Sequence, residues 1–148
     1  LLYLDITFIL LERRCNFLSL STKILVCVTQ QKTCERLIRK AASLIKPDEG
    51  QLFVIHVAKN EWKFLNNVQE GEALEYLFGI SKSVGANLYV LKSDNIVGTI
   101  ADFARKNSIT SIFMGESPND HKENRFYKEL KTLLPDIEIN VVPQDEQN

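Results

Sequence analysis

The stretch DNIVGTIADFARKNSITSIFMGES, residues 94–117, decides how the rest of the chain is interpreted. Its first half repeats apolar side chains at helical spacing, which predicts a helix that follows an N-cap at Asp94 and ends at Lys106-Asn107. The run ITSIFM, residues 109–114, is short and mostly apolar, as is typical of a strand covered on both faces of a parallel sheet. With Gly115 as its exit, this is half of a βαβ unit. Ligand sites in such sheets lie beyond the carboxyl ends of the strands.

The chain on either side of this stretch continues the alternation of strand and helix. Strands are predicted at residues 23–29, 51–58, 87–92, 109–114 and 137–142. The intervening helices end near Pro47, Gly85, Asn107 and Pro135. This order, with right-handed crossovers, predicts an α/β fold, a doubly wound five-stranded parallel sheet with helices on both faces.

The composition fits one compact domain. The chain has 148 residues, of which 45% are hydrophobic, and a net charge of −1 without a basic stripe, which argues against a nucleic-acid binder. Cys15, Cys27 and Cys34 form no C-x-x-C pair and no cluster with histidine, which argues against a disulfide framework or a metal site. We therefore expect a protein of the reducing cytoplasm. Residues 23–143 form the predicted domain and residues 144–148 a polar tail.

The N-terminal extension, residues 1–22, begins with an apolar run that stops at Glu12. The run is about half of the roughly 20 residues that a membrane span needs, and its positive charges follow it, unlike those of a signal peptide. We therefore expect no membrane association. The sequence leaves open whether this segment packs on the domain, and a first residue other than Met leaves open an upstream extension.

Two stretches carry a resemblance to a known family. ILVCVTQQKTCERLIRKAA, residues 24–42, and the stretch 94–117 resemble universal stress proteins (Usp), more closely the Usp-like domain of Kdp-type potassium-sensing histidine kinases. The resemblance covers residues 23–142 and implies a Rossmann-like sheet of strand order 3-2-1-4-5. The strand 23–29 would then lie between the strands 51–58 and 109–114. The crevice residues implied are Thr29, Gln30 and Gln31 after the first strand and Gly115, Glu116 and Ser117 after the fourth.

The sequence departs from the pattern with which many of these proteins bind ATP. They use an Asp just after the first strand and a Gly-x2-Gly-x9-Gly-[Ser/Thr] loop after the fourth, because glycines let backbone amides approach phosphates. Here Thr29 stands at the acidic position, Pro118 replaces the second glycine, and Glu116 adds negative charge. We expect weak or lost ATP binding and no cofactor. Residues 29–31 and 52–56 also lack the patterns associated with cyclic dinucleotides in Kdp-type domains.

Other candidate residues have simpler interpretations. Cys34 lies near a helix start that could lower its pKa, yet no histidine or acid is placed to complete a nucleophilic site. Cys27 lies inside a predicted buried strand and is interpreted as a core residue. His56, at the end of the second strand, either lines the crevice or is a hydrogen-bonded structural residue. Receiver-domain phosphorylation is rejected because no acid follows the first strand.

These observations favour a non-enzymatic, Usp-like regulatory or stress-response module. The alternative is a nucleotide-binding protein with slow ATP hydrolysis. The partners implied are a sensor kinase or another signalling protein and a second copy of the chain. The last strand would sit at a sheet edge, where Ile137, Ile139 and Val141 offer an apolar surface for two-fold pairing. A monomer whose edge is shielded by polar neighbours is the competing hypothesis.

Overall fold

A computed structural model describes residues 22–28, 31–46, 48–59, 68–116 and 120–143. They form five strands and four helices in strict alternation. The bounds are β1 Thr22–Cys27, α1 Gln31–Ser43, β2 Gly50–Ala58, α2 Val68–Ser83, β3 Asn87–Lys92, α3 Ile96–Lys106, β4 Ser111–Gly115, α4 Asp120–Leu133 and β5 Glu138–Val142. The N-terminal extension up to residue 21 and the tail 144–148 lie outside the described residues.

The five strands form one all-parallel sheet of order β3-β2-β1-β4-β5. The predicted order is confirmed, with β1 between β2 and β4. β1 supplies the centre because its apolar residues are buried on both faces, as expected for a strand covered by helices on each side. The strand order reverses between β1 and β4, so their carboxyl ends flank the point where crossovers diverge.

Alternate residues of the strands enter two separate hydrophobic cores. On one face, α1 and α2 cover the first core cluster, whose buried members are Ile24, Val26, Val28, Cys34, Leu37, Ile38, Ala41, Leu52, Val54, Leu77, Ile80, Phe113 and Val142. On the other face, α3 and α4 cover the second core cluster, whose buried members are Leu25, Cys27, Phe53, Ile55, Ile100, Ala101, Phe103, Ala104, Ile109, Ile112, Leu130, Leu134 and Ile139. One helix pair therefore protects each face of the sheet.

The start of α3 differs from the prediction by one residue. The N-cap is Asn95, not Asp94, because the Asn95 side-chain oxygen accepts a hydrogen bond from the Gly98 amide at 3.1 Å. The Asn95 amide in turn donates to the Ser93 hydroxyl at 3.1 Å. Asx side chains commonly satisfy the otherwise unpaired first amides of a helix in this way.

The end of α3 explains why β4 begins later than predicted. The Ser108 amide donates to the Arg105 carbonyl at 3.3 Å and the Ile109 amide donates to the Ala104 carbonyl at 3.0 Å. Ser108 has a φ of 54°, so these bonds make a Schellman turn with Ser108 in the left-handed position. The amide of Ile109 is therefore used by the turn, and the strand starts at Ser111.

Two further observations concern α2 and membrane spans. The helix α2 begins at Val68, and its residue Phe78 is 58% exposed. None of the helices in the described ranges is long and apolar enough to cross a membrane.

Candidate functional site

The candidate site is the crevice at the carboxyl ends of β1 and β4, where the strand order reverses. Of the predicted crevice residues, Thr29, Gln30 and Ser117 lie outside the described residues. Gln31 is the first residue of α1. The described parts of the crevice are therefore the end of β1 with His56 beside it, and Gly115-Glu116 at the end of β4.

The side chain of His56 forms a hydrogen bond with the backbone just after the end of β1. Its ring nitrogen Nδ1 lies 2.9 Å from the carbonyl oxygen of Val28, and the Val28 amide donates to the Ile55 carbonyl at 3.0 Å. A carbonyl accepts only, so Nδ1 carries the proton in this bond. Since a carbonyl at the end of a buried strand needs a donor, the side chain of His56 supplies one and fixes the backbone where β1 leaves the sheet.

Gly115 and Glu116 continue the sheet beyond its predicted end. Gly115 pairs with Val142, and the Glu116 amide donates to the Val142 carbonyl at 2.9 Å. A Cβ added at Gly115 would lie 3.8 Å from Leu37 Cδ2, an ordinary contact, so packing does not require glycine there. The first amide after Gly115 is thus engaged by β5 and does not point at an incoming anion.

The two described cysteines are buried thiols. Cys27 and Cys34 are 5% and 3% exposed, and both are free. Burial raises the pKa of Cys27 to about 12. Burial also raises the pKa of Cys34, against the smaller lowering effect of backbone hydrogen bonds at the helix start. Both groups are therefore protonated near neutral pH, which is the state of a core thiol and not of a nucleophile.

Three side-chain contacts made by residues of α1 were not predicted from the sequence. The Glu35 carboxylate accepts hydrogen bonds from the Tyr76 hydroxyl at 2.6 Å and from Arg39 Nε at 3.0 Å. These bonds, that of Tyr76 first, lower the pKa of Glu35. The Arg36 guanidinium donates to the carbonyl of Pro143, just after β5. The i,i+4 spacing of Glu35 and Arg39 was a visible signal, whereas nothing in the sequence pairs Arg36 with residue 143.

The predicted dimer edge contains residues of different exposure. Ile139 is 9% exposed and belongs to the second core cluster, Ile137 is half-buried, and Val141 is 41% exposed. The Glu138 amide and the Val142 carbonyl bond toward β4, so the intervening backbone groups of Val141 point to the open side. Val141 therefore combines an exposed side chain with outward backbone groups.

Comparison with known proteins gives two sets of relatives. The chain is 26% identical over 135 residues to a KdpD sensor protein of Synechocystis sp., covering 88% of this chain and 36% of that protein. It is 26% identical over 96 residues to the sensor protein KdpD of Mycobacterium tuberculosis, covering 64% of this chain and 11% of that protein. The chain thus spans about a third or less of the curated relatives it matches. No protein-family model matches it.

The solved structures that superimpose on this chain include several universal stress proteins. UspA of Lactobacillus plantarum superimposes with a TM-score of 0.62 at 15% identity, over 83% of this chain and 98% of that one. The universal stress protein of Archaeoglobus fulgidus in complex with dAMP gives 0.57 at 19% identity, over 82% and 96%. A universal stress protein in complex with cAMP gives 0.57 at 10% identity, over 85% and 98%. The predicted resemblance to a Usp-like domain of Kdp-type sensors is confirmed, and the structural likeness establishes the fold.

Proposed function

We propose that the chain is a non-enzymatic regulatory module of the universal stress protein type, with weak or lost ATP binding. The observation that carries this proposal is the Glu116 amide, which donates to the Val142 carbonyl at 2.9 Å. A phosphate loop works by turning successive backbone amides toward the anion. Here the first amide after Gly115 is already hydrogen-bonded to β5.

The chemistry of the neighbouring residues supports the same conclusion. Pro118 has no amide to donate, and Glu116 places a carboxylate at the rim where phosphates would sit. Thr29 cannot supply the negative charge that orients a nucleoside in ATP-binding relatives. No step of a reaction is assigned to His56, because its Nδ1 proton serves the Val28 carbonyl.

The alternative function is a nucleotide-binding protein with slow hydrolysis. It is favoured by the two structural neighbours that were solved in complex with dAMP and with cAMP, both of which share this fold. A nucleoside monophosphate carries less charge than ATP, and such a ligand would place fewer demands on the loop after β4.

Isothermal titration calorimetry separates the two functions. The full chain is titrated with Mg-ATP, ADP, AMP, cAMP and cyclic dinucleotides, with a nucleotide-binding universal stress protein as the positive control. We expect no heat of binding at ligand concentrations up to the high micromolar range. Low-micromolar binding of any one nucleotide would overturn the proposal in favour of the alternative, and release of phosphate from ATP would establish an enzyme.

A gain-of-function variant tests the cause of the lost affinity. Restoring a backbone donor and removing the carboxylate, with Pro118→Gly and Glu116→Ser together, should bring measurable ATP binding. The matched control is Glu116→Ser alone, which removes the same carboxylate and restores no amide. If both variants bind ATP equally well, the negative charge and not the missing backbone amide is the cause of the lost ATP affinity.

A sensor protein is the proposed partner, since the sequence relatives are KdpD sensors. We also propose a cytoplasmic location, in keeping with the free thiols Cys27 and Cys34. Co-purification with a KdpD-type sensor of the source organism tests the partner, with Glu116→Lys as a surface variant. Failure to bind the sensor at micromolar concentrations would leave a stand-alone stress-response role.

We further propose that the chain forms a homodimer through β5, with Val141 at the contact. Val141→Pro removes an outward amide without breaking the β4 ladder, so it should convert dimer to monomer in size-exclusion chromatography with light scattering. Val90→Pro on β3, at the opposite edge, is the matched control. A wild-type chain that is monomeric at high micromolar concentration would contradict the dimer.

A further inference from the structure

The open side of β5 presents the backbone groups of two residues. On its other side the strand pairs with β4, and the Glu138 amide, for example, donates to the Thr110 carbonyl at 3.4 Å. Because the backbone groups of successive residues in a strand alternate between its two sides, the amides and carbonyls of Ile139 and Val141 point away from β4. We call these two residues the outward pair of β5.

The residues next to the outward pair already use their backbone groups. Before it, the Ile137 amide donates to the Leu134 carbonyl at 3.3 Å, and the Ile137 carbonyl accepts from Lys131 Nζ at 2.9 Å. After it, Pro143 has no amide, and its carbonyl accepts a hydrogen bond from the Arg36 guanidinium. The outward pair is therefore a short ladder with fixed ends.

These fixed ends select one register for a second copy that pairs antiparallel to β5. A two-fold axis at Asn140 places Ile139 opposite Val141 of the second copy, so the outward groups of both copies are all paired. An axis at Val141 would place Ile139 opposite Pro143, which has no amide. An axis at Ile139 would place Val141 opposite Ile137, whose amide and carbonyl are already bonded.

The same register matches the side chains across the axis. Residues directly opposite each other in an antiparallel pair point to the same face of the sheet. On the face of the second core cluster, Ile139 meets the exposed Val141 of the second copy. On the face of the first core cluster, the amide side chains of the two Asn140 residues meet at the axis, and Glu138 lies opposite Val142. No like charges lie opposite each other in this register.

Arg36 lies beside the position that Glu138 of the second copy would occupy. Val142 shares the first core cluster with Leu37 of α1, and Arg36 reaches the carbonyl of Pro143, the next residue of the chain. A guanidinium carries several donors in a planar fork that fits a carboxylate. The exposed side chain of Glu138 in the second copy, directly opposite Val142, therefore falls in the region that Arg36 reaches. By symmetry this contact occurs twice.

We propose that two copies of the chain pair about Asn140 and that Arg36 of each copy binds Glu138 of the other. Both features rest on the proposed homodimer through β5. A strand with the same apolar residues but without an acid opposite Val142 would form the ladder and not the ion pair. The ion pair therefore makes β5 selective for a second copy of this chain.

Two single charge reversals in the full chain test the ion pair. Arg36→Glu and Glu138→Arg each bring like charges together across the axis, so each should raise the dissociation constant of the homodimer by about tenfold. An equimolar mixture of the two variants should regain the wild-type affinity, because both contacts of the mixed pair again join opposite charges. Sedimentation velocity over a concentration series measures the constants, and native mass spectrometry identifies the mixed pair.

The matched control for these reversals is Glu72→Arg. Glu72 is exposed on α2, and its replacement changes the net charge of the chain by the same amount as Glu138→Arg. This variant should dimerise like the wild type, and mixing it with Arg36→Glu should restore nothing.

A cysteine at the axis tests the register. Asn140→Cys should form a disulfide between two copies on mild oxidation, because the Cα atoms of such an opposite pair lie about 4.5 Å apart, within disulfide range. Glu138→Cys is the control and should form none, since its counterpart in the second copy lies roughly 13 Å away along the ladder. Peptide mapping by mass spectrometry distinguishes a link at residue 140 from links through Cys15, Cys27 or Cys34.

The outcomes separate the register and the ion pair from the homodimer itself. A wild type that is monomeric at high micromolar concentration overturns all three. A dimer that Val141→Pro dissociates, but that forms no link at residue 140, overturns the register alone. A mixture of the two charge reversals that dimerises no better than its components overturns the ion pair.

A second pair of variants decides the ion pair if Arg36→Glu fails to fold in circular dichroism. Arg36→Gln and Glu138→Gln should each weaken the homodimer, and the double variant should be no weaker than either single variant, because one contact is lost in all three. Additive losses in the double variant would overturn the ion pair.

Discussion

The two outer strands of the sheet occupy equivalent positions but differ in how completely helices cover them. β5 buries Ile139 and Val142, at 9% and 6% exposure. In β3 no residue is fully buried, and Tyr89 and Val90 are each 37% exposed. The sequences NLYVLK and EINVV contain similar shares of apolar residues. The apolar content of an edge strand therefore does not say how much of it remains available to a partner.

The helices account for this difference. Leu130 of α4 and Leu134, which directly follows that helix, share the second core cluster with Ile139, so β5 is covered on that face. At β3 the corresponding cover is an aromatic group, in which the Tyr89 ring lies 4.8 Å from that of Phe103 and 6.2 Å from that of Phe53. The edge-to-face contact between Tyr89 and Phe103 stabilises this corner, while Tyr89 remains 37% exposed.

The largest expected effect comes from truncating one side chain on each of the two outer strands and comparing the losses in stability. Ile139→Ala should lower the free energy of unfolding by about 2–4 kcal/mol, because it leaves a cavity in the second core cluster. Val90→Ala on β3 should change it by no more than about 0.5 kcal/mol, since the side chain is partly in water. Urea unfolding followed by circular dichroism measures both. Equal losses would mean that the two strands are covered alike in solution.

A second experiment weakens the helix that follows β3. Asn95→Ala removes the cap of α3 and should cost about 1 kcal/mol in the free energy of unfolding. Gly98→Ala serves as its companion, because a Cβ there would lie 2.3 Å from Asn95 Nδ2 and would displace the capping side chain. In the Asn95→Ala background, Gly98→Ala should instead stabilise by roughly 0.5–1 kcal/mol through helix propensity. Additive effects of the two substitutions would contradict the cap.

A substitution at the other end of α3, on the side of β4 and β5, should raise the free energy of unfolding instead of lowering it. Ser108 has a φ of 54°, a conformation that glycine adopts without steric cost. Ser108→Gly should therefore raise the free energy of unfolding by about 0.5 kcal/mol. Lys106→Gly, two residues earlier inside the helix, is the control and should lower it by about 0.5–1 kcal/mol. A loss of stability in Ser108→Gly would mean that the turn is not left-handed in solution.

The smallest effect concerns pH and the tie between α1 and α2, the helix pair on the β3 side. The pKa of Glu35 is lowered in the folded chain by the hydrogen bond from Tyr76 and then by that from Arg39. A folded pKa below the unfolded one means that the stabilisation is present above the unfolded pKa and is lost as pH falls through the folded pKa. Tyr76→Phe should lower the melting temperature slightly at neutral pH, and the difference from wild type should shrink as Glu35 is protonated in acid.

The control for this titration is Tyr89→Phe, which removes a hydroxyl from the exposed edge of the aromatic group. Its melting temperature should differ from wild type by the same amount at every pH between neutral and acid. Glu35→Gln should abolish the pH dependence of the Tyr76→Phe difference. A difference that persists unchanged in acid would show that Tyr76 stabilises the chain through packing and not through the Glu35 carboxylate.

Periodicity and turn residues were enough to predict the fold class and the order of the elements along the chain. The buried run at residues 109–114 and the glycine after it define a covered parallel strand, and the resemblance to universal stress proteins supplied the strand order. The boundary errors came from local hydrogen bonds: Asn95 competes with Asp94 for the first turn of α3, and the turn at Ser108 takes the Ile109 amide. Such choices depend on atomic geometry and not on residue type.

The candidate site was less predictable because its features depend on tertiary partners. The sequence placed His56 near the crevice, but only the structure pairs it with the Val28 carbonyl. Likewise, Gly115 was visible as a strand exit, whereas the use of the Glu116 amide by β5 depends on the register between β4 and β5. The exposure of Val141 beside the buried Ile139 also follows from where α4 packs.

Two consecutive residues of α1 reach to opposite regions of the molecule. Glu35 is bonded to Tyr76 of α2, and Arg36 is bonded to the carbonyl of Pro143 beyond β5. Because both bonds start from one turn of a helix, α1 links α2 on one side of the domain to the end of β5 on the other. A displacement of α1 at its crevice end would therefore strain both hydrogen bonds, and its effect would reach α2 and the end of β5 together.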